Sequence, residues 1–106
     1  MSQEKLPEHY QFEKKVHQAF IDAVEDLGKV LRKQGPLDEK TANLIQLAAA
    51  IAIHSEGAAH SHIRRAIDNG ASAEEVYHAI VLLTSTIGFP TVSAALSWAG
   101  DIMRTP

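Results

Sequence analysis

The run His54-Ser55-Glu56-Gly57-Ala58-Ala59-His60-Ser61-His62-Ile63-Arg64-Arg65-Ala66-Ile67-Asp68-Asn69-Gly70-Ala71-Ser72-Ala73-Glu74-Glu75 decides how this chain is read. Ser55 has the short hydroxyl side chain that caps helix N-termini, so a helix is expected from there to about Asp68. Gly70 closes it, because glycine takes the left-handed backbone at a helix end without a Cβ penalty. Ser72 with Glu75 three residues later is a capping-box pair, so the next helix starts almost at once. Two helices joined by a tight turn are therefore written into this segment.

The same reading extends outward in both directions. A first helix is expected from Pro7 or Glu8, proline being tolerated at the first helical position. It carries Phe12, Val16, Phe20, Val24, Leu27 and Leu31 at spacings of three and four, an amphipathic stripe ended by Gln34-Gly35-Pro36. Asp38 and Glu39 open a second helix, which from Leu44 to Ile53 is apolar nearly all round and predicts burial on most sides, inside the domain or between subunits. After Ser72, the stripe Val76, Ile80, Leu83 and Ile87 predicts a fourth helix stopped by Gly88-Phe89-Pro90. Val92, Ala95, Leu96, Ala99 and Ile102 give a fifth from about Thr91 to Met103. The β-branched residues fall inside helical periods and no strand is expected. The fold class is all-α: one domain over residues 1–106 with about five helices, residues 1–7 being a flexible N-terminus.

Bulk properties exclude several classes of function. A net charge of −3 gives no general attraction to nucleic acid or to an anionic membrane. The longest apolar run, Leu47 to Ile53, is too short to span a bilayer. Met1-Ser2-Gln3-Glu4-Lys5 lacks the layout of a secretory signal, so the expected location is cytoplasmic. The chain has no cysteine, which removes disulfides, thiolate-ligated metals and thiol catalysis together.

With these elements in order, the chain resembles the carboxymuconolactone decarboxylase and alkylhydroperoxidase D superfamily over roughly residues 12 to 104. The resemblance is carried by Leu37-Asp38-Glu39-Lys40-Thr41 opening an apolar helix, then His62-Ile63-Arg64-Arg65-Ala66, then Gly70-Ala71-Ser72-Ala73-Glu74-Glu75-Val76. It implies an alkylhydroperoxidase-D-like helical domain assembled as a homo-oligomer, a trimer or hexamer. The redox branch of the family places a Cys-x-x-Cys pair at the start of the central helix, a histidine four residues later and a relay glutamate on the preceding helix. Those positions fall on Ser55, Ala58, His62 and Asn43 in this chain, so only the imidazole remains. Reducing a peroxide by that route needs a thiolate and a resolving thiol, which serine and alanine do not supply. The decarboxylase branch uses no cysteine pair and acts on a lactone bearing a carboxylate. By that resemblance His62 is the acid/base candidate, Asn43, Ser55 and Ala58 are pocket positions, and Arg65 is the carboxylate partner. A small organic acid or lactone-like metabolite is the implied ligand, with no cofactor. The alternative is a non-catalytic binding or assembly protein that kept the scaffold; residual peroxidase activity ranks third.

Blander readings compete at each position. Ser55 serves equally as a helix cap, with no carboxylate evidently placed to make it a nucleophile. Asn43, on an apolar helix, either lines the pocket beside His62 or faces water. Trp98 and Phe89 are expected in packing or as pocket walls, and His78 on the surface or at a subunit contact. Glu56 and His60, one turn apart, share a face; His54 and His62 nearly share another. Neither pair is a metal shell without ligands from another helix or subunit, so no metal site is expected and these side chains read as an exposed polar face.

Overall fold

The structure is a computed structural model that describes residues 8–104. Its helices are α1 (Glu8–Val16), α2 (Gln18–Arg32), α3 (Glu39–Ala52), α4 (Glu56–Asp68), α5 (Ala73–Val81), α6 (Thr84–Ile87) and α7 (Phe89–Met103). No strand occurs among the described residues, and the all-α class holds. The expected flexible N-terminus lies outside the described residues. The chain divides into two compact units, one ending at Leu37 and the other starting at Asp38.

In the first unit, the single expected helix is two. The chain breaks at His17, whose backbone leaves the helical region at φ −124° and ψ 54°. Tyr10 and Glu25 lie about 22 Å apart on a straight helix. Here the Tyr10 hydroxyl donates to the Glu25 carboxylate at 3.0 Å and the Lys14 ammonium reaches its other oxygen at 2.9 Å. These bonds lower the Glu25 pKa, the Lys14 bond first and the Tyr10 bond next, and they raise that of Lys14. Periodicity alone cannot show such a reversal, because the apolar stripe continues in phase through the break. That stripe is exposed in the chain at all six positions, Phe12, Val16, Phe20, Val24, Leu27 and Leu31, and Ile21 alone among the described residues of this unit is buried.

The second unit starts where its caps say. The Asp38 carboxylate accepts from the Thr41 N–H at 2.8 Å to open α3. Ser55 Oγ accepts from the Ala58 N–H at 3.4 Å to open α4. At α5 the box is complete: Glu75 N–H donates to Ser72 Oγ at 3.0 Å, and Ser72 N–H to the Glu75 carboxylate at 2.9 Å. The Lys40 ammonium also reaches Glu75, at 3.0 Å, tying the start of α3 to the start of α5. The helix ends are equally regular. After α4, Ala71 N–H bonds to Ala66 C=O and Gly70 N–H to Ile67 C=O, with Gly70 at φ 99°. After α3 the same pair of bonds forms from Ser55 N–H to Ala50 C=O and from His54 N–H to Ile51 C=O. The left-handed position is there filled by His54, at φ 59°.

This second turn folds α4 back along α3, while α7 packs on α4 and α5. Leu47, Ile51, Ile63, Val76, Ile80 and Val92 fill the space between them and are fully buried. Each contributes roughly 1.5–3 kcal/mol by leaving water. Trp98 packs against this core as expected. Helix α3 is partly open within the chain: Ile45, and Ile53 just past its end, are exposed on the face away from Leu47 and Ile51, and the burial expected between subunits would fall on that face. Two expectations are corrected. The fourth helix does not run unbroken to Ile87: it stops at Val81, and Thr84 Oγ1 takes the Val81 carbonyl at 2.8 Å where a continuing backbone N–H would bond. Phe89 does not pack in the core but is 65% exposed, where Gly88, at φ 94°, and Pro90 start α7 rather than merely stopping its predecessor.

Two stability measurements follow. Replacing His54 by Gly removes the left-handed Cβ penalty and is expected to raise unfolding stability by about 1 kcal/mol in urea titration. The Ser72 backbone bond, then the Lys40 bond, hold the Glu75 carboxyl below its ordinary 4.5. Its contribution is therefore complete above that value and is lost as pH falls through the depressed one. The stability gap between wild type and Glu75→Gln is expected to be widest at neutral pH and to close in acid.

Candidate functional site

Helices α3 and α4 run back along each other from the turn at His54, which brings Asn43 of α3 and His62 of α4 together. Asn43 is the buried polar residue of the core, 1% exposed. Both ends of its amide are engaged. Its Nδ2 donates to the Glu39 carbonyl one turn back at 2.9 Å, and its Oδ1 lies 3.1 Å from His62 Nδ1. An oxygen can only accept, so the neutral imidazole must carry its proton on Nδ1 and its lone pair on Nε2. The buried amide thus fixes ring orientation and tautomer without a charge. Of the two fates open to Asn43, the structure places it beside His62 rather than in water.

The remaining expected positions fall into two groups. Ala58 lies one turn before His62 on α4, partly buried and packed against the core. Ser55 caps α4, so its hydroxyl is committed to the Ala58 N–H. Its nucleophile reading finds no support in that geometry. Arg65 lies in the last turn of α4, partly buried, where its carbonyl accepts from the Asn69 side chain at 2.8 Å. Its side chain has partners of its own. The structure thus brings Asn43 and His62 into direct contact, and sets Ser55 and Ala58 on the same stretch of α4. His78 is exposed on α5, as expected. Sequence reasoning passed over Asp101 of α7, whose carboxylate comes close to Glu56 and His60. No local spacing could have paired a residue near the end of the chain with that turn of α4.

The model of the carboxymuconolactone decarboxylase family matches residues 18–101, most of the chain. The chain belongs to the carboxymuconolactone decarboxylase family. The fold agrees: the crystal structure of a carboxymuconolactone decarboxylase family protein from Legionella pneumophila, in its apo form, superposes with a TM-score of 0.78. That likeness covers 91% of this chain and 86% of that one, at 22% sequence identity. No functionally curated protein matches the sequence. This carboxymuconolactone decarboxylase family member has no cysteine, so the thiol pair of the redox branch is missing from it. No helix among the described residues is long and apolar enough to cross a membrane.

The Asn43–His62 contact sets a measurable cost. Asn43→Ala leaves the His62 Nδ1–H and the Glu39 carbonyl without their amide partner and opens a small void beside Leu47. The expected loss is about 1–3 kcal/mol of unfolding stability. Nitrogen NMR of the ring should show the Nδ1–H tautomer in wild type and a mixture in the variant.

Proposed function

We propose that this protein binds a small organic acid or lactone-like metabolite beside His62 and that the imidazole moves a proton in lyase, decarboxylase or isomerase chemistry. The observation that supports this reading is the 3.1 Å contact between His62 Nδ1 and a buried Asn43. A histidine kept only for packing needs no fully buried amide to choose its tautomer. Held this way, Nε2 is the atom that takes a proton from a C–H or O–H group and returns it to the product. Asn43 orients the ring but offers no negative charge to hold the imidazolium. Arg65 is the residue we assign to the ligand's carboxylate, and Ser55 and Ala58 line the pocket where the redox branch carries its sulfurs. Thiol peroxidase chemistry finds no support, since neither a thiolate nor a resolving thiol is present. We place the protein in the cytoplasm.

A second reading is favoured by a different observation. The exposed stripe from Phe12 to Leu31 is more apolar surface than scattered exposed side chains need. We propose that the chain forms a homo-oligomer, a trimer or hexamer, and the same surface fits a non-catalytic assembly role. Sedimentation of Phe20→Glu with Leu27→Glu is expected to give a smaller species than wild type. Unchanged mass would set that reading aside.

Ligand-induced thermal stabilisation tests the leading reading. Small lactones, keto acids, phenolic acids and organic peroxides are screened against wild type, His62→Ala and His62→Gln. A true ligand at a hundred times its dissociation constant stabilises the folded state by about 2.7 kcal/mol. That stabilisation is expected for an acid or lactone with wild type and lost with both variants. Hits that stabilise all three proteins equally would remove His62 from the site. No hit with any of the three would favour the assembly role.

A further inference from the structure

Helix α4 carries two inward-leaning imidazoles on opposite flanks. His62 meets α3, whereas His60 lies about 200° further round the helix. His60 shares its flank with Glu56 one turn earlier, whose Oε2 is 3.7 Å from His60 Nε2, too long for a hydrogen bond. Asp101, in the last turn of α7, supplies the third member from a different helix. One ligating atom from each of Glu56, His60 and Asp101 lies within 4.8 Å of the others. His60 Nε2 is itself buried and has no hydrogen-bond partner among the described residues, while both carboxylates are exposed. Nitrogen atoms shut away from water are normally bonded. This one is shut away facing two acceptor oxygens.

We propose that Glu56, His60 and Asp101 bind a divalent first-row transition-metal ion, zinc being the natural probe. A neutral imidazole with two carboxylates supplies one nitrogen and two oxygens, and its two negative charges cancel those of the ion. Bonds to such an ion run about 2.0–2.2 Å, which places ligating atoms about 3–3.5 Å apart. Binding the ion therefore requires the Glu56 and Asp101 carboxylates, both exposed, to draw in from their present spread. Imidazole favours zinc, iron, nickel or copper, whereas calcium takes six to eight oxygens and magnesium a nearly all-oxygen octahedron. The solvent side leaves coordination positions for water or an oxygen of a small ligand. The ion also clamps the first turn of α4 to the last turn of α7. The spacing of Glu56 and His60 lacked one ligand, and α7 provides it. None of this depends on the role of His62.

The test uses tag-free protein stripped with chelator and titrated with zinc by calorimetry, with cobalt absorbance reporting the ligand field. One ion per chain is expected. Asp101→Asn and Glu56→Gln, near-isosteric changes on exposed residues, are expected to weaken zinc by more than the roughly tenfold that even outer-shell changes cost. His60→Ala is expected to abolish binding and the cobalt spectrum, with His78→Ala indistinguishable from wild type. Zinc should raise the melting temperature of wild type and not of Asp101→Asn, while millimolar calcium should not displace it. Circular dichroism establishes that each variant is folded. Absence of saturable zinc binding to wild type, or equal affinity in the three site variants, overturns the proposal.

Discussion

The turn between α3 and α4 governs the rest of the second unit. Two backbone bonds, from Ser55 to Ala50 and from His54 to Ile51, send α4 back along α3 in one register. Everything buried between the two helices depends on that register: Leu47 and Ile51 against Ala59 and Ile63, and Asn43 against His62. Sliding α4 by one residue would rotate it by about 100°, carrying His62 away from the amide and taking Ile63 out of the core. The left-handed position that makes the turn is filled by His54 rather than glycine. The fold tolerates some backbone strain at the point where its geometry is set.

The same turn sets the positions that the resemblance to the redox branch singled out. Ser55 and Ala58, which the resemblance matches to the thiol positions, are a helix cap and a packing residue. Asn43 has no ionisable group, yet it is buried and bonded at both ends of its amide. A buried polar side chain is costly unless satisfied, and Asn43 is satisfied through His62. The imidazole and the amide behave as one unit.

Much of this was legible from local chemistry. Asp38, Ser55 and Ser72 marked the starts of α3, α4 and α5, and Gly70 the end of α4, because capping depends on one side chain and the next three backbone N–H groups. The break at His17 was not legible, since it is stabilised by Glu25 gripping Tyr10 and Lys14 across the reversal, and the apolar stripe runs through it in phase. The stop after Val81 had a local signal in the hydroxyls of Thr84, Ser85 and Thr86, outweighed by the apolar period of Leu83 and Ile87. Gly88-Phe89-Pro90 was read as an end when it is equally a beginning, proline fitting the first turn of α7. Exposure was the least legible property. Periodicity identifies an apolar face but not whether the same chain covers it, and the faces of α2 and α3 show both outcomes.

The two histidines of α4 mark the same boundary between local and tertiary information. His62 was identified because its position within a family pattern carries meaning, and the structure added the amide that fixes its tautomer. His60 has no such pattern. With Glu56 it forms a one-turn pair of the kind found on many solvated helices, worth a few tenths of a kcal/mol at most. What distinguishes it is burial of Nε2, together with a carboxylate that α7 delivers from its far end. An ordinary surface pair would leave that nitrogen in water, where water satisfies it. Here the nitrogen is shut away while the two carboxylates stay wet, and a cation that accepts the nitrogen and both oxygens is the partner whose chemistry meets all three.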